Sequence, residues 1–592
     1  MPRVKLLKNN TYTYLLIGLV ALLSACDQCG VAYWQPQLTN VTMSPAQAQV
    51  EDNSPLRFTV EHQRSRTGDP SLVINLRYKM SQRFSNGYID FPQHIAPARI
   101  EEIELLTPGT RLLDTKDGQV KEIQHGGHHD VHLRYRIVLA NNEQDVRSRT
   151  PVIRGNYVQA AAKTILAFPQ SIGTKRLARI EWSAPSGWQI FSSFGEYTAS
   201  HIEQNAQTIW EALFVAGENL RVHKTFANSD KLENRRALTV VVNGNFRFQD
   251  DAFIAIVTRI ISSQRDFFQD YAYPNYLISL SESGRRGAKI GGTAHHNAFK
   301  VLLHTDTPLS NGETAHLLSH EVFHNWNGFV IKKAPKWFRE GFTDYYGLTL
   351  AFRAGLIPRK KYVEIFNKWL WTYYASPLRN ELSNRMEDMV DDDDELFDIP
   401  YQRGAIFAAR LNAQIREKSN ARHSLDNIMR DLVQAARTGD SAVTIEKINA
   451  LAKLYGSGGD IAQEMAQLMD DGRDFTPHGQ ELGECYTLDP ERVGTDFELG
   501  FALHPNSGVV TGVKRQSAAA QAGLRPSDVL SRYEFAQGAP HLKATVELAF
   551  NRRRISFFPV KLETTRDGFQ FSENAAHWQN KPDFCEQSLI VW

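Results

Sequence analysis

Two histidines and a glutamate occupy one short helical pattern near the middle of the chain, His320-Glu321-Val-Phe-His324. Apolar residues recur around them at helical spacing, and Gly328 follows where the helix should end. Residues four apart point the same way on a helix, so His320 and His324 can bind one ion. Glu321 is then turned toward the place where a water on that ion would sit. The pattern predicts a catalytic zinc site, which needs a third ligand and an open position.

Glu340 is the candidate third ligand. It belongs to a second predicted helix, with Pro335 near its first turn and Gly355 past its end. A carboxylate among aromatic residues on a mostly buried helix is costly unless a cation pairs with it. Asp344, one turn later, could accept a hydrogen bond from a ligating imidazole and fix its tautomer. The alternative is a chance His-Glu-x-x-His on a solvated helix face, and this second helix argues against it.

Segment 319 to 347 resembles the glycyl aminopeptidase family of zinc peptidases, within the gluzincin group that includes thermolysin and the relatives of aminopeptidase N. The resemblance implies an N-terminal β domain, a thermolysin-like catalytic domain and a C-terminal PDZ domain. It also implies that His320, His324 and Glu340 bind one Zn²⁺. Glu321 would be the general base for metal-activated water in peptide hydrolysis.

A second resemblance concerns Tyr401. The segment Ile399-Pro-Tyr401-Gln-Arg-Gly404 resembles the Pro-Tyr-x-Lys-Gly segment of the aminopeptidase N relatives, where the tyrosine hydroxyl supports the tetrahedral intermediate. A predicted helix with one apolar face follows Tyr401 and would hold it rigidly. The alternative is an ordinary half-buried core tyrosine.

The chain departs from the family pattern at Ala294. The family usually has Gly-Gly-Leu-Glu-His on an edge strand, and its glutamate holds the free α-amine of the substrate. This chain has Gly291-Gly292-Thr-Ala294-His295-His296, without that carboxylate. Aminopeptidase and endopeptidase activity therefore both stay open. Gly291 and Gly292 would let a substrate backbone lie against the strand. His295 or His296 is a candidate substrate contact, and a surface histidine pair without a role is the alternative.

The N-terminus has the pattern of a signal peptide over residues 1–25. Three basic residues precede an apolar run that is too short to span a bilayer and ends in Leu23-Ser-Ala-Cys26. This end resembles a bacterial lipobox, which implies cleavage before Cys26 and a lipid on its thiol. Asp27 resembles an inner-membrane retention signal. We expect a protein of the bacterial cell envelope that faces the periplasm, is anchored by its lipid and is tethered by residues 26–49. A plain secreted protein is the alternative.

The 592 residues predict about three domains and a multidomain α+β protein. Strand-like runs and turns predict a β-sandwich domain at 50–230, and mixed patterns predict an α+β body at 231–480. The family resemblance implies that this second region is the thermolysin-like zinc peptidase domain. Residues 490–575 resemble a PDZ domain, which would bind a peptide C-terminus. A small β domain without a ligand is the alternative there. Residues 576–592 are expected to form a C-terminal tail.

The charge composition limits the expected binding partners, and two cysteines are candidates for a disulfide. Lys and Arg number 67 and Asp and Glu 66, with no basic block, so nucleic acid is not expected as a partner. The resemblance to zinc peptidases implies peptides or proteins as substrates. Cys485 and Cys585 are a candidate disulfide in an oxidising compartment, although sequence does not establish their separation.

Two polar clusters are interpreted as solvated segments. The histidines at 125, 128, 129 and 132 favour a polar hairpin over a metal site, and the acidic run 387–395 lacks the pattern of a calcium loop. A rival to the enzyme is a binding protein that keeps the peptidase fold and holds envelope peptides without cleaving them.

Overall fold

The computed structural model describes residues 55–591 with internal gaps. The gaps are 81–85, 93–97, 116–118, 125–128, 140–149, 171–175, 198–200, 228–235, 272–274, 284–290, 377–378, 381–398, 457–463, 465–466, 470–472, 474, 495–496, 504–508, 535–543, 552, 559 and 562–564. Cys26, Asp27, the predicted leader and tether, His125, His128 and the acidic run therefore lie outside the described residues.

The N-terminal region is built from strands in three sheets. Its strands are β1 (Leu56–Arg64), β2 (Pro70–Lys79), β3 (Asn86–Asp90), β4 (Ala98–Leu105), β5 (Arg111–Asp114), β6 (Val120–Gln124), β7 (Asp130–Leu139), β8 (Val152–Arg154), β9 (Tyr157–Ala161), β10 (Phe168–Pro169), β11 (Leu177–Ser183), β12 (Gln189–Ser192), β13 (Gly195–Glu196), β14 (Ile202–Asn205) and β15 (Leu213–Gly217). The sheet orders are β14-β11-β1-β2-β7-β4, β10-β3-β6-β5 and β13-β12-β15-β9-β8.

Alternation explains why these segments fold as strands. In β1, Leu56, Phe58 and Val60 are buried, and the exposure of the residues between them fits a sheet with one face on a core. One apolar cluster joins all three sheets and includes Tyr135, Phe168 and Phe214. The short helix α1 (Ala206–Trp210) is capped by the side chain of Asn205 and leads into β15.

A second region holds a five-stranded mixed sheet in the order β16-β17-β18-β20-β19. Its strands are β16 (Arg221–Ala227), β17 (Arg236–Asn243), β18 (Asn275–Glu282), β19 (Gly291–His295) and β20 (Ala298–Leu303). Strands β17, β18 and β20 run parallel, and the outer strands β16 and β19 run antiparallel to their neighbours. The sheet starts before residue 230, because β16 pairs with β17. In the described part of the chain, β19 has a strand partner on one side only.

Helices cover one face of this sheet. They are α2 (Asp250–Phe268), α3 (Glu313–Phe323), a π-helical segment (Trp337–Phe342), α4 (Thr343–Arg353), α5 (Arg359–Ala375), α6 (Ile399–Lys418), α7 (Leu425–Arg437) and α8 (Ile445–Leu454). Aromatic packing holds them together, as in the stacked rings of Phe323 and Tyr346, whose centroids are 5.0 Å apart. The opposite face of the sheet packs on the N-terminal region through Leu277, Ala298 and their neighbours.

The C-terminal region contains a small β unit, whose core side chains lie between Leu499 and Phe557. Residues before and after this unit, such as Tyr486 and Phe571, pack on the helical core. Its elements are β21 (Tyr486–Gly494), β22 (Phe497–Glu498), β23 (Phe501–Leu503), β24 (Val510–Val513), α9 (Ala518–Gln521), β25 (Leu530–Glu534), β26 (Ala544–Leu548), β27 (Arg554–Phe557), β28 (Val560–Lys561), β29 (Thr565–Glu573), α10 (Ala575–Asn580) and α11 (Pro582–Val591). Apolar side chains such as Val510, Leu524 and Val546 form the core of the small unit.

Residues 576–591 of the expected tail form α10, a one-residue link and α11, and the helical core holds them in place. Cys485 and Cys585 form a disulfide, and both residues belong to the apolar core around α5. The guanidinium of Arg359, at the start of α5, lies 4.1 Å from the ring centroid of Trp578. Among the described helices, none combines the length and the apolar character that crossing a bilayer would require.

Candidate metal centre

Helix α3 carries His320 on its buried side, and the partly buried His324 caps the C-terminal end of the helix. A Cβ placed on Gly347 of α4 would lie 3.0 Å from the Cα of His320, so the two helices meet almost backbone to backbone. The Nε2 atoms of His320 and His324 are 3.0 Å apart, and Glu340 Oε2 lies 3.6 and 3.4 Å from them. Ligand atoms placed tetrahedrally around zinc are about 3.3 Å apart, given zinc–ligand distances of about 2.0–2.1 Å. The three atoms therefore fit one zinc ion.

Hydrogen bonds fix the direction of each imidazole. Nδ1 of His320 lies 2.8 Å from Asp344 Oδ1, as the sequence suggested for Asp344. Nδ1 of His324 lies 3.0 Å from the carbonyl oxygen of Asn327. An imidazole that donates from Nδ1 presents the lone pair of Nε2, so both rings are set as metal ligands.

The third ligand lies in the π-helical segment, a form of helix that is often found at functional sites. Arg339 Nε donates to Glu340 Oε1 at 3.1 Å, which leaves Oε2 facing the histidines. Asn327 is fully buried, and its amide nitrogen lies 3.1 Å from the carbonyl oxygens of both Phe338 and Arg339. Asn327 thus joins the turn after α3 to the backbone that carries Glu340.

Sequence reasoning missed Asn327, Arg339 and His316. The Nε2 atom of His316 lies 3.2 Å from the carbonyl oxygen of Asp344 and 3.4 Å from its Oδ1. His316 precedes His320 by one helical turn, and that spacing was a usable signal. Asn327 and Arg339 act through contacts between helices, for which the sequence gave no comparable signal.

The electrostatics of the site favour a cation. Burial raises the pKa of Glu340, but the attractions of His324, His320 and Arg339 outweigh it and hold this pKa well below its usual value. Burial opposes charge on His320, yet its bonds to Asp344 and Glu340 raise its pKa to about 10. Carboxylates that draw positive charge onto buried imidazoles would also stabilise a divalent ion. His320, His324 and Glu340 form the group of possible metal ligands found among the described residues.

Glu321 lies beside the metal ligands and against the edge strand β19. Its side chain is buried, and a Cβ placed on Gly292 would lie 2.4 Å from Glu321 Cγ and 2.5 Å from Oε1. A side chain at 292 would therefore displace the carboxylate. The register pairs Gly292 with Val301 and Ala294 with Phe299, which both pack in the core that includes α3. Gly292 and Ala294 thus face the metal helix.

The structure contradicts the candidate substrate contact at His295. This residue pairs with Ala298, whose side chain packs toward the N-terminal region on the other face of the sheet. His295 is only 2% exposed, and burial together with Lys300 and Lys163 lowers its pKa well below the usual value. One step along a strand reverses the side-chain direction, so His295 points away from the face that carries Gly292.

Tyr401 is in the first turn of α6, and its ring centroid lies 5.9 Å from that of His320. Two glycines bring α6 this close to the π-helical segment. A Cβ on Gly404 would lie 1.9 Å from the carbonyl oxygen of Trp337, and one on Gly341 would lie 2.3 Å from the Cα of Gly404. This backbone contact explains why a helix starting at Ile399 places its tyrosine beside a metal ligand.

The fold and the donor set define a zinc metallopeptidase, with His320, His324 and Glu340 as the zinc ligands. Residues 313–392 match the model of the M61 glycyl aminopeptidase family, so the resemblance drawn from the sequence is confirmed over the segment that binds the metal. The chain is a zinc metallopeptidase that is similar to this family over residues 313–392.

A solved structure shares the fold at low sequence identity, and a second is similar over part of the chain. An aminopeptidase N family protein from Idiomarina loihiensis is 14% identical with a TM-score of 0.65, and the match covers 90% of this chain and 100% of that chain. An M1 zinc metallopeptidase from Deinococcus radiodurans is 13% identical with a TM-score of 0.42, covering 72% of this chain and 94% of that one. No curated protein sequence matches the chain significantly.

Proposed function

We propose that this protein hydrolyses peptide bonds in the bacterial cell envelope, with Glu321 as general base. The observation that carries the proposal is the placement of the Glu321 carboxylate between the metal ligands and the edge strand β19. A base must lie within hydrogen-bond reach of the proton that it takes. We expect Glu321 to meet this condition for a water held between the metal site and a substrate on β19.

Each residue then has a defined task. Zinc bound by His320, His324 and Glu340 would supply a Lewis acid and lower the pKa of a coordinated water to about 7. Glu321 accepts a proton from the attacking water and returns it to the leaving amine. Tyr401 donates a hydrogen bond from its hydroxyl to the oxygen that becomes negative in the tetrahedral intermediate.

The edge strand provides a place for an extended substrate. The backbone of β19 is paired with β20 on one side, and its other edge can add a peptide strand through main-chain hydrogen bonds. Gly291 and Gly292 allow that peptide to approach closely, and Gly292 keeps room for Glu321. Ala294 supplies no counter-ion for an N-terminal ammonium, so we keep both aminopeptidase and endopeptidase activity within the proposal.

The proposal also covers where the protein is located and what its C-terminal β unit binds. The leader and the sequence around Cys26 support a lipid anchor in the envelope, with the catalytic region facing the periplasm. The small β unit supports a PDZ-like domain, because strands precede and follow a short helix along the chain and Gly500 has the positive φ of +76° that a tight loop requires. Its expected ligand is the C-terminus of a peptide.

The decisive test compares three proteins. Wild type, Glu321→Gln and Glu313→Gln are assayed for zinc content and for cleavage of a peptide library with free and with blocked N-termini. Glu313 is on the same helix but exposed, where it pairs with Lys361, and serves as the matched control. We expect one zinc per chain in all three and loss of cleavage in Glu321→Gln alone. Full activity of Glu321→Gln, or a wild type that binds no zinc, would contradict the proposal.

The library also decides the class of peptidase. Removal of single residues from free N-termini alone would establish an aminopeptidase despite Ala294. Internal cleavage of blocked peptides would establish an endopeptidase. A protein that binds zinc and peptides but cleaves none of them would instead support the rival binding protein.

A further inference from the structure

The hydrogen bonds of the sheet decide which backbone groups of β19 point to its outer edge, the edge away from β20. The N–H of Leu277 in β18 donates to the carbonyl oxygen of Asn297 at 3.0 Å, so the backbone carbonyl of Asn297 points toward β18. Backbone groups of successive residues in a strand alternate between its two edges, so Ala298 points toward β19. Its partner there is His295, whose N–H and C=O groups are therefore used within the sheet.

The same alternation places the backbone groups of Gly292 and Ala294 on the outer edge of β19. They lie three residues and one residue before His295, and in the described part of the chain no strand pairs with this edge. The next group in the series is the N–H of His296. It donates to the carbonyl oxygen of Glu211 at 2.9 Å, at the end of α1 in the N-terminal region. The outer edge thus offers two residues to a peptide and then meets the N-terminal region.

The main chain of the N-terminal region is fixed at this point. Ala212 follows Glu211 and accepts a backbone hydrogen bond from Ala162 at 2.8 Å, and both alanines are fully buried. The ring of His296 also lies near two other aromatic rings, those of Phe194 and Phe329, at centroid distances of 6.3 and 6.4 Å. Buried main chain and aromatic rings therefore close the outer edge of β19 at His296.

The distance from the general base to this closed end limits how much peptide fits there. Gly292 lies against Glu321, and His296 is four residues further along the chain, about 13 Å at about 3.3 Å per residue. Antiparallel pairing is the more stable arrangement, and it directs the N-terminus of a bound peptide toward His296. Pairing with Ala294 then takes two peptide residues beyond the one opposite Gly292. One further residue fits before the carbonyl of Glu211.

We propose that the N-terminal region closes the cleft at His296, so that the enzyme releases fragments of about two to four residues from the N-terminal end of its substrates. The proposal rests on the proposed peptidase function. Water adds across the scissile bond, so the released fragment carries the new carboxyl group and the remaining chain carries the new amine. Because Ala294 has no carboxylate to hold an amine next to the base, the closed end sets the length of the fragment.

The lengths of the first products test the closed end. The zinc-loaded wild type is incubated with a pool of peptides about twelve residues long and mixed in sequence, and mass spectrometry at low conversion identifies the first fragments released. We expect fragments of about two to four residues from the N-terminal end. First fragments of five residues or more, release of single residues only, or short fragments from the C-terminal end would each overturn the proposal.

A proline variant tests the pairing of the peptide with the outer edge. Ala294→Pro removes one outward N–H, and proline is tolerated on an edge strand where the N–H is not used within the sheet. In the inactive Glu321→Gln background, we expect this change to raise the Kd of a cleaved pool peptide about three- to tenfold, the effect of one hydrogen bond. Ala294→Ser keeps the N–H and is the matched control. Equal Kd values for the proline and serine variants would overturn the pairing.

The outcomes separate this proposal from the proposed function. If the wild type cleaves peptides without a limit on the length of the N-terminal fragment, the closed end is overturned while the peptidase stands. If the wild type neither cleaves nor binds any peptide of the pool, the proposed function itself fails. Thermal unfolding and zinc content show whether Ala294→Pro keeps the native fold, and the product lengths of the wild type do not depend on that variant.

Discussion

The metal-binding half of the cleft and its substrate-facing half are built differently. In the metal half each ligand has a partner that fixes its direction: Asp344 for His320, the Asn327 carbonyl for His324 and Arg339 for Glu340. The proposed substrate half presents Gly291, Gly292, Ala294 and the backbone of β19. A metal ion requires fixed side chains, whereas an extended peptide can be held by main-chain bonds. The second half can therefore change in sequence while the first is retained.

Gly292 is the point at which the two halves touch, and its replacement should have the largest effect. We expect Gly292→Val to lower kcat/KM about 10³-fold, because a displaced general base forfeits roughly 10²- to 10⁴-fold of rate. Zinc content should be unchanged. Gly512→Val, where a Cβ meets nothing within 4 Å, is the control. If Gly292 acts only through Glu321, the double variant with Glu321→Gln will be no slower than Glu321→Gln alone.

Tyr401 belongs to the metal half by position and to catalysis by its proposed role. Tyr401→Phe should lower kcat about 100-fold with little change in KM, since loss of one donor to an oxyanion typically costs about 10²- to 10³-fold. Steady-state kinetics measure this split. Tyr455→Phe, which removes a hydroxyl bonded to Asp431 elsewhere in the helical region, should have no effect. A change in kcat of less than threefold would leave Tyr401 as a core residue.

Asp344 tests whether the partners of the ligands matter for metal affinity. We expect Asp344→Asn to weaken zinc binding roughly 10- to 100-fold, because loss of a partner to a ligating imidazole usually has that effect. Competition with a chromophoric chelator gives the Kd. Asp306→Asn is the matched control, since Asp306 also pairs with a histidine, His304, but away from the metal centre. Equal zinc affinities in wild type and Asp344→Asn would show that helix packing alone fixes His320.

Substitution of Ala294 should have the smallest effect of these changes. It tests the proposed substrate half of the cleft. Ala294→Glu should raise the ratio of kcat/KM for free over N-acetylated peptides about tenfold, since a charged hydrogen bond contributes about 1.5–3 kcal/mol. His295→Gln should leave the ratio unchanged, because its side chain lies on the other face of the sheet. A shift of the ratio in His295→Gln would mean that the strand presents a different face to the substrate.

Sequence patterns were most informative where function depends on local spacing. The helical spacing of His320 and His324, the second helix with Glu340 and the position of Asp344 one turn later were all readable before the structure. The β character of the N-terminal region was readable as well, because alternation along a strand such as β1 follows from burial of one face. The signal peptide, the lipid anchor and the PDZ-like binding activity stay predictions.

Contacts between distant segments were not readable from the sequence. The burial of His295 depended on which face of β19 meets the metal helix, and a step of one residue reversed the expectation. Asn327 and Arg339 hold the ligands through bonds between helices, and Gly404 matters because its backbone meets Gly341. Their roles depend on how the helices pack.

The sequence by itself determined the zinc site of this protein, namely two imidazoles and a carboxylate, because a helix converts spacing directly into direction. Only the tertiary structure decided which side chains support that site and which part of the edge strand lies beside it. Those contacts join residues far apart in the chain, such as Glu211 and His296 or Gly292 and Glu321. Sheet register and helix packing set such distances, and neither is encoded in any short stretch of residues.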